Sequence, residues 1–117
     1  MLAYRSLKVW QTAMDLVMEA YALSRRLPGH ERYALTSQLQ RAAVSVPANI
    51  AEGNGRVHRG DYLHHLSIAR GSLLELDTHL EVARRLNYLS ERDLAEMHRL
   101  RGHVSRMLNA LIARLRP

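Results

Sequence analysis

Apolar residues recur at three–four spacing along almost the whole chain, and the runs break in three places. The first run spans about Ser6 to Leu27 and stops at Pro28–His30. The second spans about Glu31 to Gly53, and the Gly- and Asn-rich stretch Gly53–Gly60 closes it. The third spans about Asp61 to Leu86, with Asn87 as its C-terminal stop. The fourth opens at Ser90, where Ser90 and Asp93 form a Ser-x-x-Asp variant of the capping box, and continues nearly to Pro117. The third run has the cleanest stripe: Tyr62, Leu66, Ala69, Leu73, Leu76, Leu80 and Ala83. The fourth reads Leu94, Met97, Leu100, Val104, Met107, Leu111 and Leu115. Four helices of similar length with short connections predict an all-α, antiparallel up-down-up-down four-helix bundle, with residues 1–117 as a single domain.

The first helix is apolar over more of its circumference than the others. Leu7, Val9, Trp10, Ala13, Met14, Leu16, Val17, Ala20, Tyr21, Leu23 and Leu27 leave only Lys8, Gln11, Thr12, Asp15 and Glu19 as a polar strip. A bundle helix needs an apolar face only a little wider than about 100°. Burying the excess by self-association is the simplest outcome, with Trp10, Met14, Val17 and Tyr21 in a homo-oligomer interface. The alternative is a helix overlapped by three neighbours of its own chain.

The second helix has a seam at Leu35, Leu39, Ala42, Val46, Asn49 and Gly53, which puts Asn49 on a core-facing position. Pro47 lies inside the helix, removes one backbone N–H and crowds the carbonyl of Ala43, so a kink is expected there. Glu52 lies close to one turn after Asn49, and Arg56 follows Glu52 at i+4. Counting pairs around Pro28–His30 places Asn49 and Glu52 beside the start of the first helix, with Trp10, Lys8 and Arg5 as partners. The same count around Gly53–Gly60 brings Arg41 near Glu75, and Ser72 near Ser45. Asn49, Glu52, Ser72 and Glu75 are therefore read as a structural polar motif that sets helix register, and loss of Asn49 or Glu52 is expected to destabilise the bundle.

No nucleophile with an attendant base and no Gly-rich phosphate loop after a strand occurs, so no catalytic or cofactor-binding residue is assigned and the expected function is not enzymatic. Di-iron bundles need two Glu-x-x-His pairs, whereas Glu75 and His79 stand at i,i+4 with no second copy, so no metal site is assigned. The chain has no Cys, no apolar run near the roughly 20 residues of a membrane span, and no apolar signal segment at its start. A cytoplasmic location with no membrane partner is the expectation.

The charge balance adds one functional class. Net charge is +6, and Lys8 is the only lysine. Arginine forks suit phosphate, which points to RNA or DNA as a partner. The candidate surface is the fourth-helix stripe Arg92, Arg99, His103 and Arg106, extended by Arg56, His58 and Arg59 in the second connection and by Arg84 and Arg85. No aromatic residues interleave with these arginines, so binding would be directed at the backbone. The competing reading is a scaffold or adaptor with an unidentified protein partner, its basic faces merely solvated.

The stretch Gln38–Arg56, "QLQRAAVSVPANIAEGNGR", resembles the signature of the four-helix-bundle proteins encoded in intervening sequences of bacterial 23S rRNA genes. Leu7–Leu16, Leu27–Gln38 and Gly71–Leu89 also fit that family, so the resemblance covers nearly the whole chain. Gln40 stands where a basic residue is common, His79 where Gln is common, and Asn87 where Gly is common. The first departure weakens this stretch as an RNA-binding strip. The resemblance implies a left-handed antiparallel bundle assembled as a ring-shaped homopentamer, with no enzymatic activity attached. It also implies kinship with the accessory variability protein of diversity-generating retroelements, a basic pentamer that binds nucleic acid and its reverse transcriptase.

Overall fold

The computed structural model describes residues 2–117, which form four α-helices and two short 3₁₀ turns with no strand among them. The helices are α1 (Lys8–Ser24), α2 (Leu35–Asn54), α3 (Arg59–Arg85) and α4 (Ala95–Leu115). α1 packs on α2 and α4, and α3 packs on the same two helices. The molecule is elongated, about 44 × 25 × 25 Å. Among the described residues no helix is long and apolar enough to cross a membrane.

The boundaries differ from the sequence expectation at the first two helices, for local reasons. α1 begins at Lys8 because Ala3–Ser6 forms a separate 3₁₀ turn and Leu7 is extended. It ends at Ser24, short of Leu27, whose position before Pro28 disfavours helical backbone. α2 begins at Leu35 rather than Glu31. Gly29–Glu31 is a 3₁₀ turn, and the Glu31 carboxylate turns back to accept the Leu35 backbone N–H at 3.3 Å. Glu31 thus satisfies an orphan donor of the helix instead of starting it. α2 then runs unbroken through the buried Pro47.

The third and fourth boundaries follow the sequence more closely. Asn87 has φ 64° and is the only non-glycine residue with positive φ among those described. The Tyr88 N–H donates to the Ala83 carbonyl at 2.9 Å and the Asn87 N–H to the Arg84 carbonyl at 3.0 Å. This is the Schellman pattern, which requires a left-handed residue at the position Asn87 fills. An Asn87→Ala variant is expected to lose about 1 kcal/mol of stability, because alanine lacks the local side-chain bonding that eases left-handed backbone, while Asn87→Gly loses none. Urea melts of the two variants check this. At the start of the last segment the capping box forms: the Asp93 carboxylate accepts the Ser90 N–H at 2.8 Å, and the Ser90 hydroxyl accepts the Asp93 N–H at 3.1 Å. Regular α-helix begins two residues later, at Ala95.

The apolar stripes meet in one core. On α3, Leu66, Ala69, Leu73, Leu76, Leu80 and Ala83 are all buried. On α4 the buried line passes through Leu108 and Ile112, with Met107 and Leu115 only packed against its edge. On α1 Thr12, which the pattern marks as polar, is buried. On α2 Asn49 is only half-buried, at the margin of the core rather than within it.

α2 and α3 form the most extensive contact of the four pairs. Small residues occur along it: Ser45 faces Ser72, and Gly53 lies against Tyr62 and His65. At Gly53 the backbones approach so closely that an added Cβ would stand 2.8 Å from the His65 Cβ and 3.2 Å from the Tyr62 carbonyl oxygen. The contacts along this pair ascend on α2 as they descend on α3: Ser45 with Ser72, Asn49 with His65, Asn54 with Tyr62.

Contacts between connections define the two ends of the molecule. At one end the Tyr88 hydroxyl donates to Glu31 at 2.9 Å, and Arg26 pairs with Asp93 at 2.6 Å. These join the α1–α2 connection to the α3–α4 connection. Leu7, Lys8 and Val9 at the start of α1 share a groove with Met107, Ala110, Leu111 and Arg114 near the end of α4.

Candidate functional site

The polar residues of α2 form a continuous seam against α3. Helical spacing places Ser45, Asn49 and Glu52 along one flank of α2, each three or four residues from the next, and Arg56 follows in the α2–α3 connection. The Asn49 amide donates to the Ser45 carbonyl at 2.9 Å and to the Ser45 hydroxyl at 3.0 Å. The Ser45 hydroxyl meets the Ser72 hydroxyl at 2.7 Å. With its NH₂ group so engaged, Asn49 turns its oxygen to His65 Nδ1, 3.0 Å away. The other ring nitrogen, Nε2, stands 3.5 Å from Glu52. Arg56 donates to the same Glu52 oxygen at 2.7 Å. The Glu52 carboxyl is held below the usual carboxylate range, first by the Arg56 hydrogen bond and then by the charge of His65.

Neither ring nitrogen of His65 faces a hydroxyl; the two face Asn49 and Glu52. The seam therefore lacks the nucleophile–base contact that acyl-transfer chemistry needs. What the arrangement does is satisfy polar groups where two helices come too close for apolar side chains.

Three sequence expectations are corrected here. The partners of Asn49 and Glu52 come from α2, from the α2–α3 connection and from α3, not from the start of α1. Arg5 instead lies over the rings of Tyr4 and Trp10, 5.7 and 5.5 Å from their centroids, and Lys8 borders the groove with Arg114. Glu75 pairs with His79 on its own helix at 3.1 Å, and Arg41 is not among its partners. Ser72 meets Ser45 as expected. His65 was missed, although the count that sets position 72 opposite 45 also sets 65 opposite Glu52. Among the described residues no group of three His, Cys, Asp or Glu side chains is placed to hold a metal.

The arginines divide into committed and uncommitted ones. Arg84 makes two hydrogen bonds to Glu81, at 2.9 and 2.8 Å, and lies 3.2 Å from Glu91. Arg85 also holds Glu81, at 2.9 Å. Together Arg84 and Arg85 pull the Glu81 carboxyl down to about 2. Arg99 is paired with Glu96, with Asp15 of α1 near enough to add to its charge stabilisation. The neighbouring Glu19 carboxyl is pushed up by burial and by Glu96. The fourth-helix stripe is thus a mixed-charge face, with His103 half-buried in it. Arg59, Arg92 and Arg106 are exposed and have no acidic group within 4 Å among the described residues.

The apolar arc of α1 also divides. Val17 is buried in the chain's own core, so it supports that face from behind. Met14 is 37% exposed, Met18 is 64% exposed, and Trp10 and Tyr21 are half-buried. Beside Tyr21 a shallow groove is lined by Ser37, Gln40, Arg41, Val44 and Ser45 of α2, with Val44 itself exposed.

The model of a family described as 23S rRNA-intervening sequence protein matches residues 5–110. Among solved structures the chain is similar to a protein of unknown function from the S23 ribosomal protein family of Bacteroides thetaiotaomicron. The two share 21% identity with a TM-score of 0.81, over 89% of this chain and 97% of that one, a likeness of fold. No curated protein matches the chain.

Proposed function

The chain belongs to the 23S rRNA-intervening sequence protein family, and from that premise we propose that it is a non-enzymatic, cytoplasmic, oligomeric bundle that binds nucleic acid through exposed arginines. The observation that carries this reading is the imbalance of charge: +6 overall, with Arg59, Arg92 and Arg106 exposed and uncommitted. Such forks favour phosphate, and phosphate contacts carry little base specificity. Filter binding to mixed RNA and DNA, at low salt and then at rising salt, tests it. Sequence-tolerant binding is expected, with a log–log slope of about −0.9 per phosphate neutralised on duplex or about −0.7 on single strands. If nothing is retained at low salt, the basic faces are only solvated, and a scaffold that binds protein takes this reading's place.

The ascending and descending contacts of α2 and α3 support an antiparallel bundle, left-handed by the resemblance, as the unit of assembly. Its oligomer, a pentamer by the resemblance, is proposed to form on the strip of Met14, Met18, Tyr21 and Val44, with Trp10 at the border and Val17 behind. These side chains lie on adjoining flanks of α1 and α2 and form one part of the apolar surface the core leaves over, Ile68, Leu74, Val82 and Leu86 being exposed elsewhere. Light scattering at micromolar concentration is expected to give a mass several times that of the 13.4 kDa chain, and Met18→Glu is expected to reduce it. A monomer for the parent protein would remove the proposal.

A further inference from the structure

The fold sorts the charges by end. At the end where Arg26 meets Asp93, four arginines are answered by acids: Arg26 by Asp93, Arg84 and Arg85 by Glu81, Arg84 also by Glu91, and Arg99 by Glu96, while Arg25, Arg32 and Arg92 have no acidic group within 4 Å among the described residues. The opposite end collects the start of α1, the α2–α3 connection and the end of α4. It carries Arg5, Lys8, Arg59, Arg114 and Arg116, all exposed and none with an acidic group within 4 Å among the described residues. Glu52 there is already held by Arg56, which leaves Asp61 in the first turn of α3 as the remaining acidic side chain. These cations are far apart in sequence, and only the topology brings them to one surface.

The same end holds the aromatic group that the arginine-rich stretches lack. Tyr4 and Trp10 meet edge to face with centroids 5.1 Å apart, and the guanidinium of exposed Arg5 lies over both rings. A guanidinium plane backed by aromatic rings is a stacking platform for an unpaired base, and duplex DNA or RNA presents no such base along its length. Cations for the backbone beside a platform for bases are the parts of a single-strand binding groove.

We infer that this end of the bundle is a docking surface for single-stranded nucleic acid, with Arg59, Lys8 and Arg114 on the phosphates and Arg5, backed by Tyr4 and Trp10, under a base. The inference rests on the nucleic-acid reading above and places the contact at the end of the bundle rather than along α4. In a ring of subunits the surface repeats, and a strand long enough to reach several copies gains avidity.

Trp10 is the only tryptophan, so its fluorescence reports on this end alone. The test is a titration of the full chain with oligothymidylate, and with a duplex of the same length, at low salt. Oligothymidylate is expected to quench Trp10 and to bind more tightly than the duplex. Arg59→Gln with Arg114→Gln is expected to weaken binding roughly tenfold or more and to flatten the salt slope by about 1.4, two phosphates' worth. Tyr4→Ala is expected to remove the preference for the single strand, and Arg92→Gln with Arg106→Gln, on the α4 face, to cost less affinity than the end pair. All of these positions are at least partly exposed, and circular dichroism melts confirm that each variant folds. If the α4 pair weakens binding and the end pair does not, this inference fails while the nucleic-acid reading stands. If the duplex binds as tightly as the single strand and Tyr4→Ala changes nothing, the single-strand assignment fails. If the parent protein binds neither, both fail together.

Discussion

Gly53→Ala is expected to lower the stability of the bundle by about 1–2 kcal/mol, and Gly71→Ala to raise it by about 0.5–1 kcal/mol. The opposite signs follow from what each new methyl group would meet. At position 53 it would stand 2.8 Å from the His65 Cβ, 3.0 Å from the Tyr62 ring and 3.2 Å from the Tyr62 carbonyl oxygen. The ring can turn aside, but the His65 Cβ and the carbonyl are fixed to α3, so the two helices must separate. Overpacking of this kind costs about 1–3 kcal/mol, of which the better helix propensity of alanine returns up to about 1. At position 71 nothing lies within 4 Å, and alanine brings only its propensity. For a chain of this size the midpoints should move roughly 5 °C per kcal/mol, so thermal melts separate the two variants clearly. Equal shifts of the same sign would mean that α2 and α3 do not approach as described. Separation of the helices would also pull His65 from Asn49, linking this glycine to the polar seam it adjoins.

Asn49→Ala is expected to cost about 1–3 kcal/mol, less roughly half a kcal/mol that alanine returns as a better helix former. The loss arises at both ends of the amide. Ser45 keeps only Ser72 as a side-chain partner, and His65 Nδ1 loses its acceptor in a setting where the ring is largely shielded from water. Glu52→Ala is expected to leave the melt at neutral pH nearly unchanged, contrary to the sequence expectation, because Glu52 is exposed and its Arg56 partner remains solvated. Asn49→Asp discriminates further: it keeps an acceptor for His65 but sets a carboxylate against the Ser45 carbonyl that now accepts from the amide. If Asn49→Ala melts like the parent yet loses oligonucleotide binding, the seam is a functional site and not a packing device.

Much of the architecture was legible because it depends on near neighbours. The stop at Asn87 and the box at Ser90 and Asp93 are decided within a few residues, and the structure forms both. The buried stripe of α3 follows from the helical period and from nothing farther away. Even the commitment of Arg84, Arg85 and Arg99 was available, since Glu81 and Glu96 stand three or four residues before them. The start of α2 was not available, because Glu31 reads as a helix opener and its carboxylate acts instead as a cap on Leu35. Neither was the setting of Asn49, because a residue on the flank of α2 can face either neighbouring helix. The count around Gly53–Gly60 found Ser72 and sets His65 opposite Glu52, whereas the count around Pro28–His30 assigned Asn49 and Glu52 to α1, and only the packing decides between them. The basic end is the furthest from sequence of all. Arg5, Lys8, Arg59, Arg114 and Arg116 share no local pattern, and they become one surface only because four helices of similar length return the chain to the same place.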